Sequence, residues 1–314
     1  MKGKLLSVCF ALALAGFTVY MALDTFVLTR VYTLVEEQDS QQETQAETET
    51  ENEDKTEAEA GTEEEAESET ETDSALSYDD GNISITITEY REYDTSVYVA
   101  DVQLSSAAYL QTAFAQSAYG KNVTAVTSQI AADNNAILAI NGDYYGSQES
   151  GYVLRNGVLY RDTVASGRQA LVIDQSGDFS IVLESQLSAQ TLLEQGAWQV
   201  LSFGPALVVD GEVAVSEDEE VGKAKASNPR TAIAMVDTLH YLFIVSDGRT
   251  DESQGLSLYQ LAGFAQTLGA GTVYNLDGGG SSTMYFNGQV INNPTSSGRS
   301  IKEREVSDIV FVGY

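Results

Sequence analysis

The sequence predicts an α+β fold: a single mixed-sheet domain with flanking helices, preceded by a transmembrane helix and a disordered acidic linker. Three observations carry this. From residue 82 to the C-terminus, short apolar runs of strand length recur, with few helical periods between them. Residues 5–23 hold no charged side chain. Residues 36–80 hold 20 of the 47 acidic residues against one lysine, Lys55. The chain therefore divides into an anchor segment and flank (1–35), an acidic linker (36–80) and a folded domain (81–314).

Met1-Lys2-Gly3-Lys4 is basic, and 19 uncharged residues follow it. That length crosses a bilayer core. Positive charge ahead of it favours a cytoplasmic N-terminus and an extracellular domain. Ala13-Leu14-Ala15 resembles a signal-peptidase site, so secretion after cleavage is the alternative. The next tract, Glu36 to Asp80, is built from Glu, Thr, Ala, Ser and Gln. It has too little apolar surface to offset chain entropy, and like charges extend it. Its expected role is a solvated spacer between membrane and domain.

Within the domain, Ile83, Ile85 and Ile87 alternate with Ser84, Thr86 and Thr88, which marks a half-buried strand. Ser96 to Leu104 is a second strand, and Tyr109 to Ala118 is read as helical. Thr127 or Ser128 is placed to cap a helix through Asn134. Ala136 to Ile140 is a buried strand. Hairpins are expected at Asn156-Gly157, around residues 175–178 and at Asn287-Gly288. Ser188 caps a short helix through Glu194. Trp198 to Phe203 and Ala206 to Val209 are strands, and Asp210-Gly211 turns the chain. Ser216 to Ser227 is a polar loop. Tyr241 to Val245 and Thr272 to Leu276 are buried strands. Between them Ser257 caps a helix with Leu258, Leu261, Ala265 and Leu268 on one face. Arg304 to Val312 closes the sheet.

Charge and rare residues narrow the function. The net charge is −31, and residues 81–314 alone carry 12 Lys and Arg against 26 acids. No basic stripe is present to follow a nucleic acid backbone. The single cysteine, Cys9, precludes an intrachain disulfide. The single histidine, His240, heads a strand and reads as structural, so a multi-His metal site is not expected.

The chemistry concentrates at strand ends. Three apolar strands run into Asn141-Gly142-Asp143, Asp247-Gly248-Arg249 and Asp277-Gly278-Gly279-Gly280-Ser281-Ser282. Strand ends are where sheets of this kind bind ligands. If the three strands are neighbours, Asp143, Asp247 and Asp277 converge on one cleft as candidate catalytic acids, bases or nucleophiles. Arg230 and Arg249, two of the few cations, are candidates for a phosphate. Gly278, Gly279 and Gly280, with the Ser281 and Ser282 hydroxyls, suit an N–H nest for phosphate oxygens. Asn141 completes the candidate binding set. Singly, each Asp-Gly is more often an ordinary turn and each arginine a surface ion pair; the joint pattern favours a site. No cofactor motif is evident. A carboxylate cluster can also hold Ca²⁺ or Mg²⁺, so metal dependence stays open.

Five motifs in order, Asn141-Gly142-Asp143-Tyr144-Tyr145, Ser202-Phe203-Gly204-Pro205, Asn228-Pro229-Arg230-Thr231, Asp247-Gly248-Arg249 and Asn275 to Ser282, resemble the phosphodiester glycosidase domain family. That family includes N-acetylglucosamine-1-phosphodiester alpha-N-acetylglucosaminidases and bacterial proteins labelled exopolysaccharide biosynthesis proteins. The resemblance covers roughly residues 82–314. It implies a mixed α+β fold, cleavage of a sugar joined through C1 to a phosphodiester, and a site at Asp143, Arg230, Asp247, Arg249, Asp277 and Gly278 to Gly280. Two departures from the family pattern, Ala234 and Ser246, remove no charged group. The expectation is an extracellular membrane-anchored hydrolase acting on a cell-wall or capsular glycan. The alternatives are a non-catalytic anionic-glycan-binding module and a factor in exopolysaccharide assembly.

Overall fold

The computed structural model describes residues 10, 12–21, 23, 28–32, 76–218 and 227–314. The described part of the N-terminal segment is helical and exposed. Among the described residues, no helix is long and apolar enough to cross a membrane. The expected span over residues 5–23 lies partly outside them. So do Cys9, most of the acidic tract and much of the polar loop at 216–227.

The α+β class holds, but the strands do not form one mixed sheet. In chain order they are β1 (Arg30–Val31), β2 (Leu76–Asp79), β3 (Ile83–Glu92), β4 (Thr95–Leu104), β5 (Leu110–Phe114), β6 (Gly120–Lys121) and β7 (Leu138–Asn141). Then come β8 (Val153–Arg155), β9 (Val158–Arg161), β10 (Gln169–Asp174), β11 (Phe179–Leu183), β12 (Ala197–Leu201), β13 (Ala206–Val209) and β14 (Glu212–Val213). The last are β15 (Arg230–Asp237), β16 (His240–Ser246), β17 (Thr272–Asn275), β18 (Met284–Phe286), β19 (Gln289–Val290) and β20 (Asp308–Val312). The central sheet has the order β14-β13-β17-β15-β16-β4-β3-β2. Two five-stranded sheets run β19-β18-β7-β20-β5 and β11-β10-β12-β8-β9. Strands β1 and β6 form a separate pair. Neighbouring strands in these sheets are antiparallel throughout.

The sheets make a layered sandwich. Alternate residues of β3, β4 and β16, among them Ile83, Ile85, Val102 and Phe243, share one core with Leu138 and Ile140 of β7 and Leu171 and Ile173 of β10. A helix covers the outer face of each sheet: α1 (Thr127–Asp133), α2 (Ala189–Glu194) and α3 (Leu258–Thr267). Helix α3 starts in a capping box of Ser257 and Gln260, which satisfies amides that the first turn leaves open. It buries Leu258, Leu261 and Phe264, each contributing about 1.5–3 kcal/mol.

Several expectations need correction. Tyr109 to Ala118 is not a helix. Leu110 to Phe114 pair with β20, and two short 3-10 turns flank them, because edge pairing with a buried strand outweighs local helical preference. Helix α1 is capped by Val126, not by Thr127 or Ser128. Folded structure begins before residue 81, since Leu76–Asp79 pairs with β3. The closing strand begins at Asp308, which leaves Arg304 outside the sheet.

One edge of the central sheet organises the rest. β15 lies between β16 and β17 and runs antiparallel to both, pairing Arg230 with Ser246 and Ala232 with Asn275. The start of β15 and the ends of β16 and β17 therefore meet at that edge. The end of β7 reaches the same place from another sheet, where the Asp277 amide donates to the Gly142 carbonyl at 3.2 Å.

Candidate active site

At this edge a pocket of about 190 Å³ opens to solvent. It is lined by Phe203, Asn228, Arg230, Arg249, Asn275, Leu276, Asp277, Gly278, Gly279 and Arg304. Asp277 is the one carboxylate in that lining, which it shares with three arginines.

Asp277 is nearly buried, at 9% exposure, and sits two residues past the end of β17. Its Oδ2 accepts from Ser281 Oγ at 2.6 Å and from Arg304 Nη2 at 2.8 Å. Burial raises its pKa, while the Arg304 charge and the Ser281 hydrogen bond oppose the rise. Asn141 fixes the backbone here. Its Nδ2 donates to the Asp277 carbonyl at 2.6 Å, and its Oδ1 accepts from Thr231 Oγ1 at 2.8 Å. Asn141 is thus buried behind the pocket and positions Asp277, instead of meeting a ligand as expected.

Arg230 is buried at the start of β15, with Nε donating to the Leu256 carbonyl at 2.9 Å. Arg249 follows β16 in the left-handed region, φ 66°. An arginine held there costs backbone energy, which is common at ligand-binding turns. Its guanidinium rests on neutral oxygens, Asn228 Oδ1 at 3.0 Å and the Ser296 carbonyl at 2.7 Å. Burial and then the nearby Arg304 charge press its pKa below the ordinary guanidinium range. Like charges gathered in a half-enclosed pocket of an acidic domain favour an anionic ligand.

The glycines do other work than a phosphate nest. The Gly279 amide donates to the Pro229 carbonyl at 2.8 Å, and the Ser281 and Ser282 amides donate back to Gly278 and Gly279. Those three N–H groups already have backbone partners. A Cβ on Gly278 would lie 2.9 Å from the Pro229 carbonyl, one on Gly279 would lie 2.8 Å from Arg249 Nη2, and one on Gly280 would overlap Ser296. The run is glycine because three neighbours crowd it. Gly280, Ser281 and Ser282 are buried away from the lining.

The other two candidate acids turn away from the pocket. Asp143 is fully buried. Its Oδ2 pairs with Arg155 Nη2 at 2.9 Å and accepts from the Ser202 amide at 2.7 Å. The same Nη2 lies 2.9 Å from Asp308 Oδ2. This Asp143–Arg155–Asp308 knot joins β8, β20 and the end of β7. Burial, and then the Asp143 charge, raise the Asp308 pKa to about 7. Asp247 holds a loop: its Oδ1 accepts from the Asn293 amide at 2.8 Å and Asn292 Nδ2 at 3.1 Å, and its Oδ2 from Asn293 Nδ2 at 3.0 Å. Among the described residues, no three His, Cys, Asp or Glu side chains converge as metal ligands.

Sequence reasoning brought Arg230, Arg249, Asp277, Gly278 and Gly279 to one place. It missed Arg304, Asn228, Phe203 and Asn275. Arg304 carried a usable signal, being another scarce cation close to a strand. Phe203 is set at the pocket by its amide, which donates to Tyr274 Oη at 2.9 Å.

Comparison with known proteins supplies the context. A family model described as phosphodiester glycosidase matches residues 134–313. Over 203 residues the chain is 27% identical to the SPbeta prophage-derived uncharacterized protein YomE of Bacillus subtilis strain 168. That alignment takes in 63% of this chain and 31% of the relative, so the chain spans about a third of the relative's length. Among solved structures, it resembles the catalytic domain of zebrafish N-acetylglucosamine-1-phosphodiester alpha-N-acetylglucosaminidase, auto-inhibited by its pro-peptide. The TM-score is 0.60 at 20% identity, covering 77% of this chain and 85% of the other. A hypothetical protein from Synechocystis matches with a TM-score of 0.50 at 16% identity, covering 74% and 62%. At these identities the structural likeness speaks to the fold.

Proposed function

Because this chain belongs to the phosphodiester glycosidase family, we propose that it hydrolyses the bond between a sugar C1 and the phosphate of a glycosyl-1-phosphodiester. The observation that carries the reading is the composition of the pocket: one carboxylate among three arginines, beside a neutral wall of Phe203, Asn275 and Leu276.

That composition suits the substrate. When the C1–O bond breaks, both electrons leave with a phosphate monoester, and water supplies the new oxygen at C1. The departing phosphate is a weak base, so it needs little help from a general acid. A second catalytic carboxylate is therefore dispensable, in keeping with the burial of Asp143 and Asp247 elsewhere. Leaving-group charge needs fixed cations, and Arg230 and Arg249 meet that need. Asp277 acts on C1 either as nucleophile or as the base for water. The Arg304 charge opposes the desolvation that raises the Asp277 pKa.

The proposed setting is extracellular, with residues 5–23 as a membrane anchor and a cell-wall or capsular glycan of N-acetylglucosamine-1-phosphate type as substrate. The basic start and the 19 uncharged residues support the anchor. Sugar release from a synthetic sugar-1-phosphodiester tests the activity. Native protein should release sugar, and Asp277→Asn and Arg230→Ala should lose it while remaining folded. Full activity in both variants sinks the mechanism. Native protein that binds the polymer without releasing sugar would indicate a binding module.

A further inference from the structure

The acidic tract was expected to be a stalk that holds the domain away from the membrane. The residues ahead of it point elsewhere. Arg30 and Val31 pair antiparallel with Lys121 and Gly120. The Tyr32 amide donates to the Tyr119 carbonyl at 2.9 Å. Asn122 Nδ2 donates to the Leu28 carbonyl at 2.9 Å, and Thr29 Oγ1 donates to the Asn122 carbonyl at 3.3 Å. Five consecutive residues, 28–32, thus lie on the domain along β6.

The receiving surface is shaped for this chain. A Cβ on Gly120 would overlap the Arg30 carbonyl, so the strand seats only because residue 120 lacks one. The Tyr32 ring packs on Tyr119 with centroids 5.7 Å apart. Tyr119 is in turn stacked on the buried Tyr145 at 5.2 Å and touches Phe114 and Tyr160. The platform is therefore held by the domain's own core, independently of Tyr32. Past the acidic tract, Leu76 opens β2 on the edge of the central sheet.

We propose that residues 28–32 form a clasp that fastens the N-terminal apolar segment directly to the domain, so that the acidic tract does not set the distance between the two. The difference in reach is large. From Leu23 to Arg30 the chain spans about 25 Å at full extension, against roughly 180 Å from Leu23 to Leu76. Where residues 5–23 insert in a membrane, which rests on the reading above, a clasped domain works on glycans close to the bilayer surface.

Hydrogen exchange on the full chain, in lipid nanodiscs, tests the clasp without reference to activity. The Tyr32 amide should exchange at least about tenfold more slowly than in the urea-unfolded chain. Gly120→Val should abolish that protection while β7 and β16 keep theirs. If Gly120→Val also exposes β7, Tyr32→Ala is read instead, with the same expectation at the Val31 and Tyr32 amides. Tyr32 exchange in the native chain as fast as in the unfolded chain overturns the proposal. A second readout addresses reach: a fluorophore on the domain should be quenched by lipid-borne quencher in the native chain and several-fold less in the unclasped variant. Equal quenching in the two, with native Tyr32 protected, would overturn the claim that the clasp sets the reach. Absence of quenching in both would place the failure in the membrane reading.

Discussion

Two aspartate–arginine pairs lie a few residues from the same sheet edge and have opposite fates. At Asp277 the arginine partner, Arg304, comes from an irregular segment, with its side chain 42% exposed, and the pair lines an open pocket. At Asp143 the partner, Arg155, comes from a strand, is fully enclosed and is shared with Asp308. Both aspartates follow apolar strands and adjoin glycine. The local motif is the same, and the depth and number of partners decide whether the carboxylate is available to a ligand. The first pair keeps an oxygen acid near solvent beside surplus positive charge. The second spends its charges on each other.

The sharpest way to break this contrast is to neutralise each aspartate. Asp277→Asn should lower sugar release by about a thousandfold or more, the scale of losing a nucleophile or base, with a melting temperature close to native. Arg155→Met should act on the other side of the comparison. It leaves two carboxylates buried without their cation, and losing one partner of a buried pair costs about 3–5 kcal/mol. Urea unfolding should show that loss, and activity of the remaining folded fraction should be near native. If Arg155→Met abolished turnover at full stability, the knot would belong to the active site.

The pocket arginines come next. Arg249→Gln keeps a hydrogen-bond donor and removes the charge. Losing one donor aimed at developing charge typically costs about 10²–10³ in rate, and steady-state kinetics should show it mainly in kcat/KM. Arg304→Gln should have a smaller and different effect. Arg304 opposes the burial that raises the Asp277 pKa, so its removal raises that pKa further. Activity needs ionised Asp277, and the acid limb of the kcat/KM profile should move to higher pH. An unmoved acid limb would mean that Arg304 does not tune Asp277.

Much of the fold could be read from the chain, because the signals were local. Asn156-Gly157, Asp210-Gly211 and Asn287-Gly288 form the expected turns, with φ between 45° and 89°. Ser188 and Ser257 cap their helices through side-chain acceptors, as read. Asp277, Arg230 and Arg249 could be grouped because glycine runs and scarce cations are visible in a sequence. The direction of the Asp143 carboxylate was not, because it depends on Arg155 and Asp308, 12 and 165 residues away in the chain. The glycine run misled for the same reason: its crowding comes from Pro229, Arg249 and Ser296. Arg304 hid in the charged stretch Lys302-Glu303-Arg304-Glu305, which resembles the head of a surface strand.

The buried knot also makes the mildest prediction, through pH. Burial and Asp143 raise the Asp308 pKa to about 7, against about 3.9 for an ordinary aspartate. Between about pH 4 and about 7 the folded chain retains a proton that the unfolded chain has released. This contribution to stability is therefore greatest below about pH 4, declines as pH rises to about 7 and is flat above it. Asp308→Asn removes the raised group and leaves Arg155 opposite one carboxylate. The variant's urea midpoint should fall less than the native one between pH 4.5 and pH 7.5. The acid limb of its activity should stay where it is, since Asp277 is a separate titration. Equal falls in midpoint would remove the knot as a source of pH dependence, whereas a shift of the acid limb would join the two aspartate–arginine pairs into one system.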